Sequence, residues 1–393
     1  MITDKIKTYD DAIKVLTSQG RFYINLGLDR MTKIMELLGN PQDNLKCIQV
    51  AGTNGKGSVC TILSSVLSEA GYKTGLYTSP HIYEYTERIK INGADITKSV
   101  FADYLEYILS LANKYNIHLT EFEILTAMMY KYFADNKVDI AIIETGLGGR
   151  FDATNILKTN LCSIITHIDL DHTDRLGDTK EKIAFEKAGI IKKDSLVITS
   201  EGYEAIKDKA DEQNSMLILV PPYCDTIYTE NLSLKGEHQV QNLALALEAL
   251  NTVFPDIKEE TILEGLKKVN NPCRFQYIED KNLIVDGAHN PNCFEALRNN
   301  LDKFFPNTKR QYIFGCLNTK NYEKMLSYIT SDPLLKDLYI YHFNNQNACT
   351  YETLANIYPQ AKQLKSAEDI TFDKDVLTVI CGSLYMIKEL VKN

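Results

Sequence analysis

A glycine-rich stretch of eight residues, 51–58, has the clearest chemical capacity in this sequence, and it reads AGTNGKGS. A short apolar run of strand type, 47–50, precedes it, and apolar residues on a helical repeat follow it. Such a turn directs backbone N–H groups and the positive end of the helix at an anion. Lys56 adds a mobile positive charge, and Ser58 adds a hydroxyl suited to a phosphate-bound Mg²⁺. The stretch therefore predicts a nucleotide phosphate site formed by Gly52, Thr53, Asn54, Gly55, Lys56, Gly57 and Ser58.

The stretch departs from the general phosphate-loop pattern G-x-x-x-x-G-K-[ST] at two positions. Val50 holds the first glycine position, and Gly57 separates Lys56 from Ser58. An ordinary glycine-rich turn is the alternative interpretation of the segment.

Polar residues follow three further predicted strands, and ligands of open α/β sheets bind beyond such strand ends. Strand 74–77 leads into Thr78-Ser79-Pro80-His81, and strand 139–144 ends at Glu144 before a glycine-rich loop. Strand 161–166 leads into a loop that contains His172. Glu144 is a hard oxygen ligand suited to Mg²⁺, with a solvated loop acid as the alternative. His172 is either a ligand or a structural hydrogen-bonding residue, because Mg²⁺ prefers oxygen to imidazole.

A second strand-to-helix turn lies late in the chain and reads DGAHNP over residues 286–291. Asp286 and His289 are placed to reach a cleft between two domains. Asn290 and Pro291 have the types expected at the N-cap and first position of a helix. A ligand site and a capped helix start can both be present here.

Strand-like and helix-like segments alternate through most of the chain, which predicts a mainly parallel α/β architecture. The first block contains predicted helices at 121–136, 180–190 and 239–253 and further strands near 195–199 and 216–220. The second block contains strands 282–285, 311–314, 337–341 and 375–380 and helices 291–305, 322–329 and 383–391. The turn-prone Asn270-Asn271-Pro272 separates the blocks, so we expect domains at 1–272 and 273–393.

Length, charge and cysteine usage limit the class of protein. A chain of 393 residues is expected to form two domains. A net charge of −9 argues against a nucleic-acid-binding surface. No apolar stretch approaches the roughly 20 residues that span a bilayer, and residues 1–5 lack a signal-peptide core. The nine scattered cysteines are typical of buried, reduced thiols, so we expect a cytoplasmic protein.

Several longer motifs, in order along the chain, resemble folylpolyglutamate synthase, the enzyme type that in many bacteria also acts as dihydrofolate synthase. This type belongs to the Mur ligase superfamily. The motifs are INLGLDR at 24–30, GTNGKGS at 52–58, TSPHIYEYTERIKING at 78–93, ETGLGGRFDATN at 144–155, HIDLDHTDRLGDTKEKIAFEKAGIIK at 167–192, HQVQN at 238–242, DGAHNP at 286–291 and GSLY at 382–385.

The resemblance implies a reaction and its participants. These ligases move the γ-phosphoryl group of ATP onto a substrate carboxylate, and the amine of L-glutamate then displaces phosphate from the acyl phosphate. Phosphoryl transfer between two anions needs charge neutralisation, which Lys56, Mg²⁺ and a basic residue of the second domain would supply. The implied catalytic residues are Lys56, Lys187, Arg274 and His289. The implied substrates are ATP, L-glutamate and dihydropteroate or reduced folates, without nucleic acid or membrane, and a monomer is expected. A larger phosphate-loop domain and a smaller Rossmann-like domain are the implied fold.

The resemblance also assigns roles by position. Ser79 and Glu144 look like ligands of one Mg²⁺, and Glu144 and His172 look like ligands of a second. Lys187 matches a lysine that these enzymes often carry as a carbamate, with a plain helix-surface lysine as the alternative. Nucleotide contacts are implied for Asn242, Arg274 and Asp286, and His289 matches a histidine near the phosphoryl and glutamate sites. The implied folate-side residues are Leu28, Arg30, Ser79, Pro80, His81, Arg88, Phe122 and Asp152; core packing is the alternative for Phe122.

Two segments depart from the family pattern. Cys273 replaces a glycine next to Arg274, and Asn318-Thr319-Lys320-Asn321 lacks two acids that are typical after the strand ending at Gly315. Three other functions remain as alternatives. These are a Mur-type ligase acting on a cell-wall precursor, a nucleotide-dependent switch without ligase chemistry, and an inactive homologue with a binding role.

Overall fold

The computed structural model describes residues 6–18 and 27–391. Part of the predicted folate-side motif at 24–30, namely residues 24–26, lies outside the described residues. The chain forms two compact units. The first contains residues up to 232 together with 241–269, and the second contains residues 233–240 together with the chain from 270 onward.

The first unit is built on an eight-stranded sheet. Its elements are α1 (Tyr9–Ser18), α2 (Asp29–Leu37), β1 (Cys47–Ala51), α3 (Lys56–Glu69), β2 (Thr74–Tyr77), β3 (Ile89–Ile91), β4 (Ala94–Asp95), α4 (Lys98–Lys114), α5 (Glu121–Asp135), β5 (Ile140–Glu144), β6 (Cys162–Ile165), α6 (Thr173–Leu176), α7 (Lys180–Ala188), β7 (Leu196–Thr199), α8 (Glu204–Glu212), β8 (Met216–Leu219), α9 (Thr226–Asn231), α10 (His238–Val253) and α11 (Glu259–Lys267).

The strand order β4-β3-β2-β5-β1-β6-β7-β8 places β1 inside the sheet, between β5 and β6. The six neighbouring strands β2, β5, β1, β6, β7 and β8 pair in parallel. At one edge, β3 pairs antiparallel with both β2 and β4. The connection after β1 leads to one side of the sheet, and β6 lies on the other side of β1. The carboxyl end of β1 is therefore a topological switch point, where α/β sheets bind their ligands.

The helices of the first unit cover the sheet with apolar side chains. Helix α5 begins with a capping box, in which Thr120 and Glu123 bond to each other's backbone N–H. The predicted apolar face of α5 is largely confirmed: Leu125, Met128, Met129 and Phe133 are buried, and Tyr132 packs at the margin of the same core. This packing fixes α5 against the strands that carry the candidate site.

The second unit contains a six-stranded sheet with the order β13-β12-β11-β14-β10-β9. Its elements are β9 (Gln276–Ile278), β10 (Leu283–Asp286), α12 (Pro291–Phe304), β11 (Lys309–Phe314), α13 (Tyr322–Thr330), β12 (Leu335–Tyr341), α14 (Tyr351–Ala355), β13 (Lys362–Leu364), β14 (Val376–Cys381) and α15 (Leu384–Leu390). Only β9 is antiparallel to its neighbour, and the other pairs are parallel. The α/β class and the mainly parallel sheets predicted from the sequence are confirmed.

Two expectations from composition can be compared with the structure. All nine cysteines are free thiols, and eight of them are buried, as predicted. Within residues 6–18 and 27–391, no helix is long and apolar enough to cross a membrane.

Candidate functional site

The glycine-rich stretch forms a tight turn from β1 into α3. Gly55 adopts φ of +95° as the N-cap of α3, and Gly52 adopts φ of +157°. A Cβ atom on Gly52 would lie 1.7 Å from Oγ1 of Thr166, and one on Gly55 would lie 2.2 Å from Oδ1 of Asn242. Both positions therefore require glycine for space. The turn brings the loop backbone against Thr166 after β6 and Asn242 in α10.

The ammonium group of Lys56 lies over the loop that precedes its own helix. Its Nζ donates to the carbonyl oxygens of Gly52 at 3.0 Å and Thr53 at 3.1 Å. Ser58 lies in the first turn of α3 with 5% of its surface exposed. A cation and backbone N–H groups at a helix start form an anion-binding arrangement.

The segment after β6 holds the loop from the other side. The backbone N–H of Thr53 donates to the carbonyl oxygen of His167 at 2.8 Å, and its hydroxyl donates to that of Asp169 at 3.0 Å. The hydroxyl of Thr166 donates to the carbonyl oxygen of Asn54 at 2.8 Å. Thr166 and His167 support the loop and are not among the residues predicted from the sequence, although their place at the end of β6 indicates proximity to the site.

Glu144 ends β5, directly beside β1, and is 5% exposed. Its Oε2 accepts a hydrogen bond from the backbone N–H of Ser79 at 3.0 Å, so the structure brings these two predicted metal ligands together. The charges of Glu144 and Lys56 both affect the pKa of the Cys60 thiol in α3. Burial chiefly raises the pKa of Cys60 well above its usual value, with Glu144 adding to this and Lys56 opposing it.

His172 lies at the start of α6 with 46% of its side chain exposed, and its Nε2 is 3.9 Å from Oδ2 of Asp171. Its φ of +51° places it in the left-handed region. Among the described residues, no group of three or more His, Cys, Asp or Glu side chains is arranged to hold a metal ion. A site built on Ser79 and Glu144 fits Mg²⁺, because this ion takes few carboxylates and completes its shell with phosphate and water oxygens. A ligand role for His172 stays a prediction.

Lys187 is buried, with 3% of its surface exposed, and is not the surface lysine of the alternative interpretation. Its Nζ donates to the carbonyl oxygen of Gly52 at 2.7 Å. Burial lowers the pKa of Lys187 well below its usual value, and the nearby charge of Lys56 lowers it further. Asp171 and Asp152 act in the opposite direction. The sequence did not show that Lys187 contacts the phosphate loop.

The segment after β2 forms a buried polar cluster of aromatic and charged residues. Arg88 donates from Nε to Nδ1 of His81 at 3.0 Å, and both residues are less than a tenth exposed. The rings of His81 and Tyr85 lie 4.1 Å apart, and the hydroxyl of Tyr85 donates to Glu121 at 3.1 Å. Pro80 is exposed next to this cluster, and its bond to Ser79 is cis.

Arg30 forms a salt bridge with Glu123, the capping residue of α5. Its Nη2 is 2.9 Å and its Nε 3.0 Å from Oε1 of Glu123, which is itself buried. Leu28 is half-buried as the N-cap residue of α2. A structural role for Arg30 in joining α2 to α5 was missed, since nothing in the sequence links positions 93 residues apart.

Phe122 and Asp152 lie at the loop that follows β5. The Phe122 ring packs on this loop, because a Cβ on Gly146 would lie 2.4 Å from it. The centroids of the Phe122 and Tyr77 rings are 6.0 Å apart. Asp152 is buried and accepts from the backbone N–H groups of Leu147 at 2.8 Å and Thr154 at 2.9 Å. Burial raises the pKa of Asp152 despite these hydrogen bonds. Asp152 therefore holds the loop together.

In the second unit, Asp286 ends β10 and organises the following turn. Its carboxylate accepts from the backbone N–H groups of Phe275 at 2.8 Å and Ala288 at 2.7 Å. Desolvation raises the pKa of Asp286, and the nearby Arg274 lowers it. Nδ1 of His289 lies 2.9 Å from the carbonyl oxygen of Gly287. Asp286, Arg274 and His289 are thus gathered at one end of β10.

The predicted helix start at residues 290–291 is confirmed. Asn290 caps α12 by accepting from the N–H of Cys293 at 2.9 Å, and Pro291 follows it. Cys273, which replaces a glycine of the family pattern, adopts the left-handed φ of +60° that glycine favours. The carbonyl oxygen of Cys273 accepts from Gly287 at 2.7 Å, so the turn next to Arg274 is tied to the Asp286 loop.

A phosphate loop at the switch point of a parallel sheet, with an acidic strand end beside it, defines a nucleotide-binding α/β protein. Two family models match: the Mur ligase middle domain over residues 50–221 and the Mur ligase glutamate ligase domain over 273–379. The dihydrofolate synthase/folylpolyglutamate synthase of Bacillus subtilis is 34% identical over 81% of this chain and 82% of its own length. The Escherichia coli enzyme of that name is 32% identical over 94% of this chain and 91% of its own.

Solved structures agree with these relatives. E. coli FolC in complex with DHPP and ADP has a TM-score of 0.88 and 30% identity, covering 98% of this chain and 97% of that one. The bifunctional Yersinia pestis enzyme complexed with AMPPNP and Mn ion has a TM-score of 0.85 and 28% identity, covering 98% of each. The chain belongs to the dihydrofolate synthase/folylpolyglutamate synthase family of Mur ligases.

Proposed function

We propose that this chain joins L-glutamate to the carboxylate of a folate-type substrate, with ATP converted to ADP and phosphate. The observation that carries this proposal is the phosphate loop at the end of β1, with Lys56 bonded over it and Glu144 at the adjacent strand end. The relatives are named as enzymes of this reaction class, and the neighbours are named as complexes with ADP or an ATP analogue.

The first unit supplies the phosphate-binding groups. The loop N–H groups and Lys56 hold the phosphates of ATP, and Lys56 balances charge as the γ-phosphoryl group moves to the substrate carboxylate. Ser58, Ser79 and Glu144 are the residues that would hold Mg²⁺, with His172 added for a second ion. When bound, Mg²⁺ neutralises charge on the phosphates and so reduces their repulsion of the substrate carboxylate. Asn242, whose amide is at the loop, would contact the nucleotide.

Residues at the end of β10 would take the remaining roles. Asp286 orients the 286–290 turn and, as the resemblance implies, would contact the nucleotide; Arg274 would serve the phosphates, and His289 would serve the phosphoryl and glutamate groups. The pteridine is held by Phe122 and by the segment after β2, in which Arg88 fixes the His81 ring through Nδ1. Leu28, Arg30, Pro80 and Asp152 line or support this part. The location of such an enzyme is proposed to be cytoplasmic, where ATP and folates are available.

We also propose that Lys187 reacts with CO₂ to form a carbamate. The lowered pKa of Lys187 favours the neutral amine, whose lone pair forms a C–N bond to CO₂ as one C=O π bond opens onto oxygen; the nitrogen then loses one proton to solvent. The product would be an anion beside the phosphate loop. The test is ¹³C NMR of wild type and Lys187→Met under ¹³CO₂. A carbamate signal is expected in wild type alone, and its absence from wild type would contradict this proposal.

The experiment that tests the function measures ADP release from the purified chain with ATP, Mg²⁺ and L-glutamate. Dihydropteroate, tetrahydrofolate and a cell-wall peptide precursor are supplied separately as acceptors. We expect release with one or both pteridines that requires glutamate, and none with the cell-wall precursor. Hydrolysis of ATP that is indifferent to glutamate and acceptor would instead support a nucleotide switch.

A further inference from the structure

The phosphate loop is held in place by backbone bonds to one short segment after β6. Thr53 donates from its N–H to the carbonyl oxygen of His167. Its hydroxyl donates to the carbonyl oxygen of Asp169 at 3.0 Å and accepts from the N–H of Asp169 at 3.1 Å. The N–H of Asn54 also points to the His167 carbonyl oxygen, at 3.4 Å. Residues 167–169 therefore help to set the position of the loop that would hold the phosphates, together with Thr166 and Lys187.

Residues 167–168 are themselves held by the carboxylate of Glu201, which lies just after β7. Oε1 of Glu201 accepts from the backbone N–H of Ile168 at 3.1 Å and lies 2.9 Å from Nδ1 of His167. Because a carboxylate only accepts, His167 donates through Nδ1–H. The side chain of Glu201 is 13% exposed, so this charge is largely removed from water. A partly buried, charge-assisted pair of this kind holds its geometry more firmly than a surface ion pair does.

Residues of β7 hold the backbone of Glu201, and a lysine of α7 holds Asp169 of the same segment. Its backbone N–H donates to the hydroxyl of Thr199 at 3.0 Å, and that hydroxyl donates to the carbonyl oxygen of Ile165 at 2.8 Å. From α7, Nζ of Lys180 lies 2.9 Å from Oδ1 of Asp169. Glu201 thus connects the end of β7 to the end of β6, and Lys180 fixes the same segment from a helix.

We propose that Glu201 is a positioning residue for nucleotide binding, acting through His167 and the 167–169 segment on the phosphate loop. It acts on the loop indirectly, by fixing the residue whose carbonyl oxygen, that of His167, receives the N–H groups of Thr53 and Asn54. The inference rests on the proposed function, because it assumes that the loop binds ATP. Small displacements of groups that orient a ligand cause large losses of binding and rate.

The test measures ADP affinity of the full chain by titration, together with the KM values for ATP and glutamate. Glu201→Gln keeps an acceptor for Ile168 but loses the charge facing His167, so we expect about a fivefold weaker ADP affinity. Glu201→Ala loses both contacts, so we expect a weakening of about tenfold or more. The KM for glutamate of Glu201→Gln should stay at its wild-type value, which a merely structural role would not predict.

The matched control is Glu204→Gln, which removes an exposed carboxylate three residues further along the chain, paired only with Lys207 in the bonds described. It should leave ADP affinity unchanged.

Combining Glu201→Gln with Thr53→Val should weaken ADP affinity by less than the product of the two separate losses of affinity, because both substitutions act on the same connection. Wild-type ADP affinity in folded Glu201→Gln and Glu201→Ala would overturn the inference alone. Failure of the wild type to bind ADP would overturn the proposed function as well.

Discussion

Lys56 and Lys187 donate to the same carbonyl oxygen, that of Gly52, at 3.0 and 2.7 Å. Two ammonium groups that share one acceptor repel each other, and Lys187 is the more deeply buried of the two. Burial is the chief cause of the lowered pKa of Lys187, and the charge of Lys56 lowers this pKa further. We infer that Lys56 serves the phosphates, whereas the lowered pKa of Lys187 favours its neutral amine.

Replacement of Lys56 by alanine tests the first of these roles. We predict that Lys56→Ala lowers the rate of glutamate-dependent ADP release by about two orders of magnitude, as loss of a preorganised charge at the reacting phosphate should. The control is Lys207→Ala, which removes an exposed lysine of α8. Near-normal turnover in Lys56→Ala, measured beside that control, would contradict the role.

At the scale of the elements, the sequence predicted the parts with a repeating pattern. Strand β2 and the start of α12 were predicted at their observed positions, because apolar runs and capping residues mark them locally. Strands β3 and β4 and helix α4 were not predicted. The first two are strands of three and two residues at the sheet edge, too short to show an alternating apolar pattern.

The candidate site was predictable in the same uneven way. The strand ends that carry Lys56, Ser79 and Glu144 were found, since parallel strands present their carboxyl ends at one edge. The bonds that hold these residues were not found. Glu123 pairs with Arg30, which lies far from it in the sequence. Glu201 holds His167, and both residues lie in loops that have no repeating pattern.

The turn into α3 provides a test of the element that carries the phosphate loop. Gly55 before α3 and Gly71 after it have similar positive φ values, +95° and +89°, but a Cβ would collide with Asn242 only at Gly55. We predict that Gly55→Ala weakens ADP affinity at least tenfold, whereas Gly71→Ala costs about 1 kcal/mol of stability and leaves affinity unchanged. Equal ADP affinities of the two variants, measured by titration, would contradict the proposed loop geometry.

At the scale of the whole molecule, each unit has its own sheet and core, and the second also has a buried ionic network. Arg310 is fully buried and its Nη1 lies 2.8 Å from both Asp332 and Asp302. Asp332 also accepts from the hydroxyl of Tyr312 at 2.5 Å. Removing one partner from a buried pair leaves an uncompensated charge, so this network makes the second unit sensitive to single substitutions.

The two aspartates offer a matched comparison of that sensitivity. Asp332 is fully buried, whereas the side chain of Asp302 is 48% exposed at the same distance from Arg310. We predict that Asp332→Ala lowers the free energy of unfolding of the second unit by about 3 kcal/mol or more, and Asp302→Ala by about 1 kcal/mol or less. Denaturant unfolding followed by circular dichroism measures both, and equal losses would contradict the assignment.

In the proposed reaction, the chain activates a folate-type carboxylate by phosphorylation before glutamate attacks it. The most direct measurement supplies the acceptor with both carboxylate oxygens labelled with ¹⁸O and analyses the phosphate released by the wild-type chain. One carboxylate oxygen bonds to the γ-phosphorus and leaves with it when the amine displaces phosphate. We predict one ¹⁸O atom in each phosphate and one phosphate for each amide formed. Amide formation with unlabelled phosphate, or phosphate release without amide, would contradict the claim.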